Sequence, residues 1–136
     1  MASIQGGCLC GAIRYEITAE PVAQGACHCR DCQYLAAGGP AHLMVLPRDG
    51  LRLTKGNPHA FARRSKQGHA GARRFCAACG TPLLVDSPDH PELTAVTAGS
   101  LDDPSGFKPA GHSWTSTAQP WHHINPILPQ WDKDRS

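Results

Sequence analysis

The stretch CHCRDCQ, residues 27–33, places three cysteines within six positions and governs the interpretation of the whole 136-residue chain. The other four cysteines form two pairs, Cys8-x-Cys10 and Cys76-x-x-Cys79, so that all seven fall into three clusters. An odd count leaves one thiol over in any fully paired scheme, and a disulfide closed within Cys-x-Cys has unfavourable geometry. The pattern therefore favours metal binding or thiol chemistry over a disulfide framework.

Size and charge restrict the classes of protein to which the chain can belong. At 14.5 kDa it has the length of one domain, predicted over residues 1–136, with an irregular, proline-rich tail from about residue 104. The net charge of +2 is too small to indicate nucleic-acid binding. The sequence shows no pattern of a targeting segment and no run of membrane-spanning length, so we expect a cytoplasmic protein without membrane association. A reducing compartment again favours metal ligation over disulfides.

Alternating apolar residues predict a mainly β fold of short antiparallel strands with little helix. Ile13, Tyr15 and Ile17 share one face of a half-buried strand. Further strands are predicted at residues 41–46, 51–54, 59–65, 81–85 and 93–98, with turn residues between them. The turn at residues 47–50 predicts that the strands 41–46 and 51–54 form a hairpin. Residues 29–37 alone look helical.

The pairs Cys8/Cys10 and Cys76/Cys79 together predict a closed, four-sulfur zinc site. Residues i and i+2 of a strand point to the same side, so Cys8 and Cys10 can present both sulfurs to one metal. The segment FCAACG, residues 75–80, has the form of a zinc knuckle, in which Gly80 lets the backbone pass the metal without a Cβ clash. Such a site clips the N-terminal segment to a hairpin more than sixty residues later.

Cys27, Cys29 and Cys32 remain as a set of three ligands, for which two interpretations stay open. Catalytic zinc sites keep three protein ligands and leave one position for water or substrate, whereas structural sites have four. The start of the predicted short helix would favour thiolate over thiol at this place. In the alternative interpretation, His112 or His122 closes the site from the tail as a second structural zinc.

Three motifs follow one another along the chain: GGCLCGAIRYEI (residues 6–17), CHCRDCQ and RRFCAACGTPL (residues 73–83). In this order they resemble the glutathione-dependent formaldehyde-activating enzyme family, which includes centromere-protein-V-like proteins. The resemblance covers residues 5 to 103, because AGSLDDP (residues 98–104) also fits the family pattern. It implies a β-tent fold with two zinc ions per chain. The family's structural-zinc pattern falls on Cys8, Cys10, Cys76 and Cys79, and its catalytic-zinc pattern falls on Cys27, Cys29 and Cys32.

The activity that the family name implies is addition of the glutathione thiol to formaldehyde, a carbon–sulfur lyase reaction run in reverse. Three thiolates on a zinc dication leave a net charge of −1, so a substrate thiol is a more natural fourth ligand than an activated water. Attack on a small aldehyde then requires a proton donor, for which His28 and His112 are the candidates. In the alternative interpretation, His28 makes a structural hydrogen bond near the metal and His112 is an ordinary surface or core histidine. Trp114 and Trp121 can wall an apolar pocket for the substrate.

Two other classes of function stay open beside the enzyme: a non-catalytic thiol-binding module, and a structural two-zinc protein with an interaction role. Zinc is expected over iron because all-sulfur tetrahedral ligation fits it and no other redox signature is present. The expected partners are a small-molecule thiol such as glutathione and a small aldehyde. A basic segment can neutralise the anionic substrate or form a solvated hairpin face; it comprises Arg63, Arg64, Lys66, Arg73 and Arg74.

Overall fold

The computed structural model describes residues 3–64 and 70–134, and it confirms a mainly β fold with little helix. The α-helix and the strands of this part of the chain are β1 (Ile4–Gly7), β2 (Arg14–Ile17), β3 (Ala23–Cys27), α1 (Arg30–Leu35), β4 (Ala41–Pro47), β5 (Leu51–Lys55), β6 (His59–Arg64), β7 (Ala70–Phe75), β8 (Pro82–Asp86), β9 (Leu93–Thr97) and β10 (His112–Ser113). Short 3-10 turns join several of them.

The strands form two sheets. One has three strands in the order β1-β2-β5, and the other has seven in the order β10-β3-β4-β9-β8-β7-β6. Among the described residues, the predicted antiparallel pairing is confirmed for all neighbouring strands except at the sheet edge, where β10 runs parallel to β3. The tail therefore returns to β3 in the direction of that strand, beside the CHCRDCQ segment.

The predicted hairpin between residues 41–46 and 51–54 is wrong, although both strands exist. β4 lies between β3 and β9, whereas β5 pairs with β2 in the other sheet. The 3-10 turn Arg48–Gly50 carries the chain from one sheet to the other. Gly50 packs so closely that a Cβ on it would lie 2.4 Å from the Cβ of Ala19. Both strands bury an apolar face on the same core from opposite sides, which alternation cannot distinguish from a hairpin.

The hydrophobic core lies between the two sheets. The face predicted from alternation is confirmed, because Ile13, Tyr15 and Ile17 are all at most 3% exposed. The Tyr15 hydroxyl is 2.7 Å from the Ser100 hydroxyl, so the buried phenol has a hydrogen-bond partner. Burial raises the pKa of Tyr15 to about 12. The opposite sheet contributes Met44, Leu46, Leu84 and Val96.

Gly6 in β1 allows a direct test of this packing. A Cβ on Gly6 would lie 2.3 Å from the Tyr15 hydroxyl oxygen and 2.5 Å from the Ser100 carbonyl oxygen. We expect Gly6→Ala to lower the free energy of unfolding by about 1–3 kcal/mol through overpacking, measured by urea denaturation. Gly99→Ala is the matched control, because a Cβ there has no neighbour within 4 Å. Equal urea midpoints for the two variants would contradict the packing.

The helix α1 lies within the segment predicted to be helical but is shorter than that segment. Cys29 is its N-cap residue, and the Cys29 sulfur accepts a hydrogen bond from the backbone N–H of Cys32. The helix ends before Ala37 and Gly38, which have φ angles of 60° and 107° in the left-handed region. In the described residues, no helix is long and apolar enough to cross a membrane.

Candidate metal centres

The first candidate metal centre consists of Cys8, Cys10, Cys76 and Cys79, whose sulfur atoms all lie within 4.8 Å of one another. The sulfurs of Cys8 and Cys10 are 3.6 Å apart, and those of Cys10 and Cys76 are 3.8 Å apart. Four sulfurs at about 2.3 Å from a tetrahedral zinc would be separated by about 3.8 Å. The spacing of this four-cysteine centre therefore suits a zinc ion.

A tight turn between β7 and β8 supplies two of these sulfurs. The backbone N–H of Gly80 donates to the Cys76 carbonyl oxygen at 2.8 Å, and Gly80 has a φ angle of 80°. This left-handed conformation is one that glycine adopts without strain. The turn aims the sulfurs of Cys76 and Cys79 at the same point, in agreement with the predicted knuckle.

Hydrogen bonds to sulfur favour the thiolate forms of Cys8 and Cys79 in the four-cysteine centre. The backbone hydrogen bond from Ala12 lowers the pKa of Cys10, but the neighbouring sulfurs of Cys8 and Cys79 outweigh it and raise that pKa to about 11. The backbone N–H of Ile13 donates to the Cys8 sulfur at 3.2 Å. The Thr81 hydroxyl lies 3.2 Å from the Cys79 sulfur, and its hydrogen bond lowers the pKa of Cys79 to about 5. Thiolates, and not thiols, are the form of cysteine that binds metal.

The second candidate metal centre consists of Cys27, Cys29 and Cys32, whose sulfurs also lie within 4.8 Å of one another. It forms at the junction where β3 ends and α1 begins. Among residues 3–64 and 70–134, no histidine or carboxylate joins the three sulfurs within that distance, and neither His112 nor His122 belongs to the group. The geometry thus favours the open, three-ligand interpretation of this three-cysteine centre.

In the three-cysteine centre, hydrogen bonds between the sulfurs favour the thiolate form of Cys29 and the thiol forms of Cys27 and Cys32. The thiols of Cys27 and Cys32 donate to Cys29 and, with the backbone N–H of Cys32, hold the pKa of Cys29 far below its ordinary value. The hydrogen bond to Cys29 raises the pKa of Cys27 to about 11, and the bonds to Cys27 and Cys29 raise the pKa of Cys32 as well. A bound metal ion would therefore displace protons from these two thiols.

Gln33 fixes the helix that carries Cys29 and Cys32, and the sequence contained no signal for this role. Its side chain is 2% exposed. The amide nitrogen donates to the carbonyl oxygens of His28 at 2.7 Å and Thr117 at 2.8 Å. The amide oxygen accepts from Arg30 at 2.6 Å and from Gln119 at 2.9 Å. These four bonds join α1 to the end of β3 and to the tail.

His28 and His112, the predicted proton donors, form a buried pair with 2.8 Å between Nε2 of His28 and Nδ1 of His112. His112 pairs with Ala26 in the sheet, whereas Ser113 pairs with Cys27, so the histidine pair lies on the face of β3 opposite Cys27. Burial and the neighbouring His112 lower the pKa of His28 to about 4, and burial lowers the pKa of His112. Both shifts favour the neutral imidazole, and the role of the two histidines as donors stays a prediction.

A tryptophan that the sequence reasoning did not single out lies beside the three-cysteine centre. Trp131 and Ser113 line a cavity of about 600 Å³ that also includes Cys27. Trp114 and Trp121 are not among its described lining residues. Trp121 is 68% exposed, and the Trp114 ring N–H donates to Asp134 at 2.8 Å. Trp131 of the tail thus forms part of the wall of this cavity, because the last described residues return to the sheet edge.

Arg73 connects the two candidate centres. It lies in β7, which leads into the zinc knuckle, and its guanidinium donates to the carbonyl oxygen of Asp31 in the CHCRDCQ segment and lies 3.9 Å from the Asp31 carboxylate. Arg74 pairs with Asp86 at 2.8 Å. These two members of the predicted basic segment therefore make ion pairs within the protein, while Lys66 lies outside the described residues.

Two comparisons with known proteins connect this arrangement to other chains. A Halomonas elongata protein named "Putative glutathione-dependent formaldehyde-activating enzyme" is 27% identical over 103 residues. The match covers 73% of this chain and 66%, just under two thirds, of that relative's length. The crystal structure of a Rhodobacter sphaeroides protein has the same fold, with a TM-score of 0.60 at 19% identity over 93% of this chain and 98% of that one.

A comparison with protein families covers all three cysteine clusters. The family model described as glutathione-dependent formaldehyde-activating enzyme matches residues 3–117. That range holds all seven cysteines and both candidate metal centres. The chain belongs to the glutathione-dependent formaldehyde-activating enzyme family.

Proposed function

We propose that this protein is a zinc-dependent carbon–sulfur lyase that joins a thiol to a small aldehyde at the three-cysteine centre. The thiol and aldehyde in the family's name are glutathione and formaldehyde, which are the first substrates to test. The observation that carries the proposal is a group of three sulfurs with no fourth protein ligand in the described residues. Catalytic zinc sites have this composition, whereas structural zinc sites have four ligands.

The donor sets of both centres suit zinc, which has no redox role and accepts tetrahedral sulfur ligation. In our proposal the four-cysteine centre holds a structural zinc, and Cys27, Cys29 and Cys32 hold a catalytic one. Bound at the three-cysteine centre, zinc would keep a substrate thiol deprotonated at neutral pH.

The overall reaction requires no oxidant or reductant. The thiol loses its proton, a carbon–sulfur bond forms as the carbonyl π bond breaks, and the carbonyl oxygen gains a proton. The chain's own contribution is to hold the two reactants together and to move that proton. His28 and His112 remain the proposed proton carriers. Because their pair lies on the far face of β3, the proton must be relayed through a further group.

A non-catalytic two-zinc module that binds a thiol without turnover is the competing proposal. It is supported by the burial of His28 and His112, which are 1% and 7% exposed. An open metal position without an accessible proton donor would bind a thiol and leave it unchanged. The two proposals predict the same metal content and different chemistry.

A titration of the cobalt-substituted protein with glutathione tests both the lyase proposal and the non-catalytic proposal. We expect two cobalt ions per chain, with sulfur-to-cobalt charge transfer from both centres, and glutathione should change the ligand-field bands of one cobalt only. Added formaldehyde should then give the S-hydroxymethyl adduct faster than glutathione and formaldehyde alone, followed by NMR. A spectral response without faster adduct formation would support the non-catalytic module. No response at either cobalt would contradict a thiol-accepting centre.

A further inference from the structure

A trough runs along the outer face of β3 and ends at the three-cysteine centre. Ala23, Gly25 and Cys27 share this face, because successive residues of a strand point to opposite sides. The first two side chains are short and leave space above the strand, where the cavity of about 600 Å³ lies. Ala23 and Cys27 are four residue steps apart along the strand, so their Cα atoms are separated by about 13 Å.

Apolar side chains form the walls of the trough. Leu43 and Val45 of β4 pair with Gly25 and Ala23 and stand on one side. Trp131 stands on the other side, and it can approach so closely because position 111 is glycine. A Cβ on Gly111 would lie 2.4 Å from the Trp131 ring. The trough therefore suits the carbon body of a small molecule.

The carboxylates of Asp89 and Asp134 line the trough, and the described lining residues include no lysine or arginine. The imidazole of His90 also lines it, and its Nδ1 atom lies 3.5 Å from the Glu92 carboxylate. Asp89 belongs to the loop between β8 and β9, which lies at the end of the trough away from Cys27, because Leu93 pairs with Pro47 beyond the pairing of Val45. A ligand that reaches from Cys27 along β3 would thus meet a carboxylate at its far end.

We infer that the trough binds the body of the thiol substrate, and that it selects extended thiols with a cationic end group over thiols that carry carboxylates. The inference rests on the proposed function, since it assumes that the substrate sulfur binds at the three-cysteine centre. Like charges brought together without a counter-ion weaken binding, and opposite charges strengthen it. Glutathione has two carboxylates and meets no described lysine or arginine in the trough, so it is a weaker ligand than an aminothiol of similar length.

Three thiols of equal length test the inference on the cobalt-loaded full chain: 6-amino-1-hexanethiol, 6-mercapto-1-hexanol and 6-mercaptohexanoic acid. Affinity is measured from the cobalt ligand-field bands and independently by calorimetry. We expect the amine to bind at least about tenfold more tightly than the acid, with the alcohol between them. Asp89→Asn should reduce this preference, because it removes the carboxylate at the far end of the trough.

Gly25→Val tests whether the ligand lies over β3. A Cβ on Gly25 meets only the Gly111 carbonyl oxygen, at an ordinary 3.6 Å, so a side chain can begin there without a clash and extends into the space of the trough. We expect it to weaken binding of 6-amino-1-hexanethiol at least about tenfold, through loss of the space that the ligand occupies. Gly106→Val is the control, because a Cβ there has no neighbour within 4 Å and Gly106 does not line this cavity.

The inference and the proposed function can fail separately. If 2-mercaptoethanol perturbs the cobalt bands but the acid binds as tightly as the amine, or Gly25→Val binds as the parent protein does, the trough inference is wrong and the thiol-accepting centre stands. If no thiol perturbs either cobalt, the proposed function fails and the inference fails with it. A preference for the amine that is reduced in Asp89→Asn, together with weaker binding of the amine by Gly25→Val, supports both.

Discussion

Cys76→Ser is expected to unfold the protein under conditions in which the parent chain is folded. Cys76 is 1% exposed and its sulfur belongs to the four-cysteine centre, so serine removes a buried sulfur from the candidate ligand set. Structural zinc contributes about 10–16 kcal/mol to the folding of small peptides, and whole domains are stable by only about 5–15 kcal/mol. Far-UV circular dichroism and metal analysis should show lost strand signal together with lost zinc.

Ala78→Ser is the matched control for this variant. It introduces the same hydroxyl two residues away, in the same turn, at an exposed position. We expect it to keep the parent's zinc content and melting temperature. A Cys76→Ser protein that retains both its fold and two zinc ions would show that the four-cysteine centre does not hold a structural metal.

Cys29→Ser is expected to leave the fold intact and to abolish thiol addition. Cys29 caps α1 through a sulfur that accepts the backbone N–H of Cys32 at 3.4 Å, and serine is also a good N-cap. The substitution therefore keeps the helix start but removes the thiolate on which the three-cysteine centre depends. Loss of a second-sphere partner costs about 10–100-fold in metal sites, so loss of a direct ligand should lower the rate by more than about 100-fold.

Metal analysis, melting temperature and adduct formation by NMR measure the Cys29→Ser variant together. The expected result is one zinc per chain, a melting temperature within a few degrees of the parent, and adduct formation at the uncatalysed rate. Cys29→Ala separates the two roles of the sulfur, because alanine loses the cap as well as the ligand. A Cys29→Ser variant that unfolds would make this centre structural, and one that retains full activity would overturn the proposed function.

Loss of the two cysteine centres is expected to destabilise the fold by different amounts, because the centres close loops of different length. The four-cysteine centre joins Cys10 to Cys76 across 66 residues, whereas the three-cysteine centre spans only residues 27–32. Loop-closure entropy grows with the logarithm of loop length, so a metal ion that closes the longer loop would stabilise the fold by about 2 kcal/mol more than one that closes the shorter loop. We therefore expect metal removal from the three-cysteine centre to destabilise the fold less.

Much of the candidate site was predictable because its chemistry is local in sequence. Cys-x-Cys and Cys-x-x-Cys bring sulfurs together through strand alternation or one turn, so spacing gave three clusters of cysteines. The four ligands of a closed zinc site then grouped the first cluster with the third. The alternation of Ile13, Tyr15 and Ile17 likewise identified one face of the core. These patterns depend on backbone geometry over a few residues, which a sequence records directly.

The remaining features depend on which strands meet, and alternation does not encode this. β4 and β5 were expected to pair and instead face each other across the core, because both strands have an apolar side and the sheet is chosen by the whole packing. The pairing of β10 with β3 likewise joins residues 86 positions apart and brings together the His28–His112 pair.

The sequence by itself determined the mainly β class, the partition of the seven cysteines and the family, since each rests on residue types at short, fixed spacings. Only the tertiary structure decided that the proposed proton donors lie behind β3, that Gln33 and Arg73 hold the CHCRDCQ segment, and that Trp131 and Asp89 line a trough leading to Cys27. Those relations join residues from distant parts of the chain, and they exist only once long-range packing has brought the strands together.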